Sequence, residues 1–222
     1  MKALFWRDLK LTLAPQASSL KGLLFFIAVI MITPFAIGPD PKMLAQIGPG
    51  ILWLGALLAG LLNLNQLFQT DHDDGSLDQF ILSGQRQSFI LIVFIKCLAH
   101  WAGTMLPLIF ATPILAFMLH LNAVTTFITI LTLLCGTPAI IFIGAIGAAL
   151  ATALLHSTLL IFIIILPWII PIIIFGVSAA TATTNPNISF LSSLTLLIAF
   201  SLLLSLFSSF VTAITLKLLA EE

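Results

Sequence analysis

Long apolar runs separated by short polar punctuation dominate the chain. The first extends from about Lys21 to Ile37 and stops at Gly38-Pro39-Asp40-Pro41, and the second from about Leu44 to Phe68. The third covers about Phe89 to Leu119, the fourth Thr125 to Leu154, the fifth Leu159 to Ala179 and the sixth Phe190 to Leu218. A helix that crosses the hydrocarbon core of a bilayer needs about 20 mainly apolar residues. The pattern therefore predicts an all-α, polytopic membrane protein with six transmembrane helices. The third run is too long for a perpendicular crossing at about 1.5 Å per residue, so its first turns should project beyond the bilayer. The fifth holds Pro167-Trp168-Ile169-Ile170-Pro171, two prolines that each lack a backbone donor. A kinked span and a re-entrant half-helix both satisfy that pattern.

Ahead of the first run, Met1 to Ala14 mixes basic, aromatic and leucine residues and reads as an amphipathic helix in the interface, with Trp6 at headgroup depth. Asp8 falls among its leucines, so its two faces are imperfectly separated. No small-residue cleavage site follows the first apolar run, and no signal-peptide removal is expected.

Composition narrows the class. Of 222 residues, 60% are hydrophobic and 7% charged, with a mean hydropathy of +1.22. A soluble domain carries roughly 25% charged residues, so this chain cannot cover a globule with a solvated surface. Eight Lys and Arg against eight Asp and Glu leave no basic field, which excludes nucleic acid as a partner and leaves membrane lipid as the solvent. Residues 1–222 read as a single transmembrane domain, with 1–20 a cytoplasmic or interfacial segment and 69–87 a cytoplasmic loop. Six spans put Lys2, Arg7, Lys10, Lys21, Arg86 and Lys217 on one side, with Lys96 near its edge, and Lys42 alone on the other. Basic loops stay inside, so both termini are expected in the cytoplasm. Cys97 and Cys135 lie inside apolar runs with no metal-site or disulfide spacing and read as packed thiols.

The 69–87 loop carries the densest local signal. Asp71, Asp73, Asp74 and Asp78 are four of the eight acidic residues. Ser76-x-x-Gln79 has the form of a capping box, in which the Ser oxygen accepts a helix N–H and Gln reaches back. Asp78 in a first turn suits the positive end of a helix dipole, and Gly84 can close the helix in the left-handed conformation. Leu77, Phe80 and Ile81 then share one face. The spacing predicts a helix of about two turns presenting a small apolar patch to the cytosol, the kind of patch that marks a contact site. The alternative is that Phe80 and Ile81 dip into the interface beside the third span. A calcium loop does not fit: from Asp71, Gly75 comes one place early and Leu82 stands where the bidentate acid belongs.

No phosphate-binding G-x-x-x-x-G-K-[ST], H-E-x-x-H, C-x-x-C or C-x-x-C-H occurs. The chain is therefore expected to be non-enzymatic, and any energy-driven work must draw on another chain. Gly136-Thr-Pro138 and Gly144-Ala-Ile-Gly147 allow close helix approach. Lys96 and His100 share one face of the third span beside Trp101, and ionisable groups at that depth mark pathways unless they have a structural reason to be there. Snorkelling to the headgroups would supply one for Lys96, and packing one for His100. A pathway or haem-related role for Lys96, His100 and Trp101 is the alternative.

Pro39-x-Pro41 before Gly48-Pro-Gly50-Ile-Leu-Trp53, then Asp74-Gly-Ser-Leu-Asp-Gln79, Lys96-x-x-x-His100-Trp101 and Gly136-Thr-Pro138 together resemble the haem exporter protein B family. That family supplies the membrane subunit of the cytochrome c maturation ABC transporter, with six spans and both ends inside. The resemblance covers nearly the whole chain and implies a bacterial inner-membrane permease. Its expected partners are an ATP-binding subunit (haem exporter protein A), a second copy of itself, haem exporter proteins C and D, and haem chaperone protein E. The segment Asp74, Gly75, Ser76, Leu77, Asp78, Gln79, Phe80, Ile81 would be the coupling helix seated on the ATPase. No cofactor would be tightly bound, and haem would be the species transported or handled. Two mechanisms satisfy the resemblance: haem export, and release of the haem-loaded chaperone. An ABC exporter for another substrate and a passive scaffold of a respiratory complex are the alternatives outside it.

Overall fold

The computed structural model describes residues 2–13, 18–62, 64, 66–73, 75, 86–153, 158–185 and 187–219. Among them the regular structure is helical: α1 (Lys2–Leu13), α2 (Ser18–Ile37), α3 (Pro41–Leu62), α4 (Gln66–Asp73), α5 (Arg86–Met118), α6 (Ala123–Ala153), α7 (Thr158–Thr181) and α8 (Phe190–Leu219). Five stretches are long and apolar enough to cross a membrane: Ser19–Ile37, Pro41–Gln69, Phe89–Met118, Ala123–Ala151 and Phe190–Leu219. The sixth expected span is α7, an apolar helix of 24 residues. The protein is an all-α polytopic membrane protein.

Those ends have local causes. Gly38 takes φ +105 and closes α2, where a residue with a Cβ would be strained. Asp40 then caps α3, its carboxylate accepting the Lys42 N–H at 3.0 Å, with Pro41 at the first helical position where no donor is missed. At the same end of the bundle, where Leu119 and Leu121 lie against Gly48 of α3, α5 closes in a Schellman arrangement. Leu121 donates to the Ala116 carbonyl at 3.0 Å and His120 to Phe117 at 3.1 Å, with His120 itself at φ 56. Asn122 caps α6 by accepting the Thr125 N–H at 2.7 Å.

Three spans carry a Thr-Pro pair, and the three behave alike. Thr33, Thr112 and Thr137 donate their hydroxyls to the carbonyls of Val29, Leu108 and Leu133 at 2.9, 2.9 and 2.7 Å. Each satisfies backbone next to the carbonyl that Pro34, Pro113 or Pro138 leaves without a donor, the means by which membrane helices tolerate proline. The segment holding Pro167 and Pro171 continues as one helix through both residues, so the re-entrant half-helix does not form.

The centre of the bundle is α6, which contacts α3, α4, α5, α7 and α8. Its small residues let those neighbours approach. A Cβ on Gly144 would run into Leu64, and one on Gly136 into the indole of Trp53. Trp53, fully buried, also lies against Gly176 of α7 and gives its N–H to Thr132 of α6 at 3.3 Å. The largest apolar core surrounds this tryptophan, with Phe26, Leu52, Met105, Ile140 and Ile172 among its buried members. A second cluster joins Leu67 and Phe68 of α4 to Phe89, Val93 and Cys97 of α5, Phe142 of α6 and Leu216 of α8. Cys97 and Cys135 are free thiols, Cys97 packed in that second cluster.

The second expected span, to about Phe68, falls within the apolar stretch Pro41–Gln69, in which the described residues form α3 to Leu62, a turn at Leu64 and α4 from Gln66. Residues 69–73, expected in the loop, belong to α4, because Leu67 and Phe68 bury themselves against α5 and α6 and carry the backbone with them.

Candidate functional site

α5 is 33 residues long, roughly 50 Å at 1.5 Å per residue, against an apolar bilayer core of about 30 Å. α1 runs alongside it in the same direction: Asp8 meets Lys96, and Thr12 meets Gly103. Gly103 makes that approach possible, since a Cβ there would lie 2.6 Å from Thr12 Cγ2. The imperfect amphipathicity of α1 now has a reason. Leu4, Asp8, Leu9 and Thr12 face inward and the Asp8 side chain is used on α5, while Lys2, Trp6 and Lys10 face away and are exposed.

Beneath α1 lies a buried ion cluster drawn from three helices. Asp8 presents one oxygen to Arg7 Nε at 2.8 Å and the other to Lys96 Nζ at 3.4 Å. Asp71, in the last turn of α4, presents one oxygen to Arg7 Nη2 at 3.1 Å and the other to Lys96 Nζ. Asp8, Asp71 and Lys96 are 8%, 4% and 5% exposed, so the lysine does not snorkel. Its ammonium turns inward because two carboxylates receive it there, which removes the charge penalty that snorkelling would otherwise avoid. Arg7 is the cluster's outlet to solvent, its side chain 40% exposed.

Trp101 and His100, beside Lys96 on α5, make contacts of their own. Trp101 is half-buried and donates its indole N–H to Thr137 of α6 at 2.9 Å, a bond between helices. His100 is buried, its carbonyl accepts the Thr104 hydroxyl at 2.8 Å, and its Nε2 has no hydrogen-bond partner among the described residues. Of the expected contact loop, Gly75 is described: it takes φ +71 in a turn just beyond the end of α4. Asp74, Ser76, Leu77, Asp78, Gln79, Phe80 and Ile81 lie outside the described residues.

Sequence reasoning missed Asp8, Asp71 and Gly103. A signal for the first two was present, because a lone acid on a leucine-rich face and a lone lysine in an apolar span each need a partner. Which acid would meet which base depends on how α1 and α4 dock, and no local spacing encodes that.

The chain matches the family model described as CcmB protein over residues 1–218. It is 46% identical over 217 residues to the Heme exporter protein B of Bradyrhizobium diazoefficiens, covering 98% of this chain and 97% of that protein. It is 44% identical over 176 residues to the protein of that name from Rhodobacter capsulatus, covering 79% and 80%. With the Escherichia coli K12 protein the identity is 38% over 185 residues, covering 82% and 83%.

Proposed function

The chain belongs to the CcmB protein family, and from that premise we propose that it is the membrane-spanning subunit of an ABC transporter complex for cytochrome c maturation. The observation that carries the proposal is relatedness along the entire chain to proteins named Heme exporter protein B. The subunit is non-catalytic. It works with a separate ATP-binding subunit (haem exporter protein A), a second copy of itself, haem exporter proteins C and D, and haem chaperone protein E. It sits in the bacterial inner membrane with both termini in the cytoplasm, as the distribution of Lys and Arg supports.

Residues 74–81 form the coupling element. Leu77, Phe80 and Ile81 seat in the ATPase, and the change of nucleotide state there biases the helices between two arrangements. The cargo or handled ligand is haem.

A specific observation favours chaperone release over passage of haem through the helices. Lys96, Asp8 and Asp71 are committed to one another, and His120, the other histidine with a described side chain, lies beyond the end of α5, whose last residue is about 27 Å along the helix from His100. That geometry offers haem no paired axial ligands among the described side chains. In this reading ATP-driven motion frees the haem-loaded chaperone from its loading partner.

Deleting the subunit and blotting the chaperone for covalently held haem tests the choice. Loaded chaperone without mature c-type cytochromes supports action at release. An unloaded chaperone places the subunit before loading and restores haem export.

A further inference from the structure

The ion cluster joins three helices, and its Asp71 lies just before the proposed coupling element in sequence. Asp71 occupies the last turn of α4, and Lys96 lies in the early turns of α5, so their contact closes the chain between them. A turn at Leu64 lies between α3 and α4, an eight-residue helix. Without a further tie, movement of the coupling element would be absorbed at that turn. Asp8 and Arg7 supply a third element, since α1 meets both α4 and α5 through the same cluster.

Stability alone is a poor reason to bury these charges, because well-packed apolar residues replace buried ion pairs at little or no cost. What the charges add is a defined geometry with redundancy. Each carboxylate faces Arg7 through one oxygen and Lys96 through the other. If α1 shears along α5 and one contact opens, each carboxylate keeps a cation and no buried charge is stranded. The joint can therefore shift without passing through the costly unpaired state.

We infer that Asp71, Lys96, Asp8 and Arg7 are positioning residues that carry movement of the proposed ATPase-contact element, residues 74–81, into α5 and α1. This inference rests on the reading of that element as the ATPase contact.

The test uses the whole complex. Asp71→Asn combined with Lys96→Gln removes the central pair while leaving Arg7 with Asp8. The expected result is normal accumulation, retained ATPase subunit and continued ATP hydrolysis, with mature c-type cytochromes reduced at least tenfold. Lys96→Arg, which keeps the charge, should retain maturation. Wild-type maturation in the paired variant overturns the inference. So does loss of the ATPase subunit from it, which would make the cluster part of docking rather than transmission. If the paired variant fails to accumulate, Arg7→Gln with Asp8→Asn decides by the same readouts. The docking reading fails separately, when Leu77→Asp retains the ATPase.

Discussion

Lys96 on α5 and Asp8 on α1 stand 88 positions apart in the chain, and their charged atoms lie 3.4 Å apart. Both side chains are almost wholly buried. The contact turns an N-terminal segment that composition alone marks as interfacial into a docked part of the helical bundle.

Removing one partner should expose what the pairing offsets. Lys96→Met leaves Asp8 and Asp71 sharing Arg7, and breaking a buried pair from one side costs about 3–5 kcal/mol. Asp71→Asn with Lys96→Gln should cost much less. Thermal unfolding of the detergent-purified subunit checks this, and equal losses from the two changes would show that the charges are not coupled.

Gly103 should admit nothing larger. Gly103→Val drives side-chain atoms into Thr12 and pushes α1 off α5. In inside-out membrane vesicles, a cysteine placed at Thr12 should then react with a membrane-impermeant maleimide at least several-fold faster than in the parent background. Unchanged labelling would mean that α1 holds by other contacts.

Trp53 is confined between Gly136 and Gly176. Gly176→Ala should destabilise by about 1–3 kcal/mol through overpacking, and Trp53→Ala by about 3–5 kcal/mol through the cavity it leaves. Both losses should appear as lower unfolding temperatures.

His100 carries a buried nitrogen without a partner among the described residues. An unsatisfied buried polar group costs about 1–3 kcal/mol, so His100→Leu should leave stability unchanged or raise it. Cytochrome c maturation should remain largely intact. Its loss in a normally assembled complex would identify His100 as a ligand or proton site instead.

The loop prediction concerns partners. Leu77→Asp or Phe80→Asp should release the ATPase subunit during co-purification while the spans stay folded. A complex that survives both changes has its ATPase contact elsewhere.

Much of the fold is legible in one dimension. Bilayer thickness sets helix length, so runs of about 20 apolar residues announce their own ends, and Gly38, Asp40 and Asn122 act on their neighbours through caps and turns a few residues away. Small residues at Gly136 and Gly144 announce close approach for the same local reason. The family is equally legible, because linked motifs run from Pro39 to Pro138.

Tertiary structure decided what those elements do to one another. Lys96 reads as a snorkelling residue until α1 and α4 bring two carboxylates to it from 88 and 25 positions away. Asp71 reads as part of an acidic loop until Leu67 and Phe68 draw α4 into the core. Burial of a charge is decided by the partners that docking delivers, and docking is a property of whole helix faces rather than of any residue's neighbours in sequence.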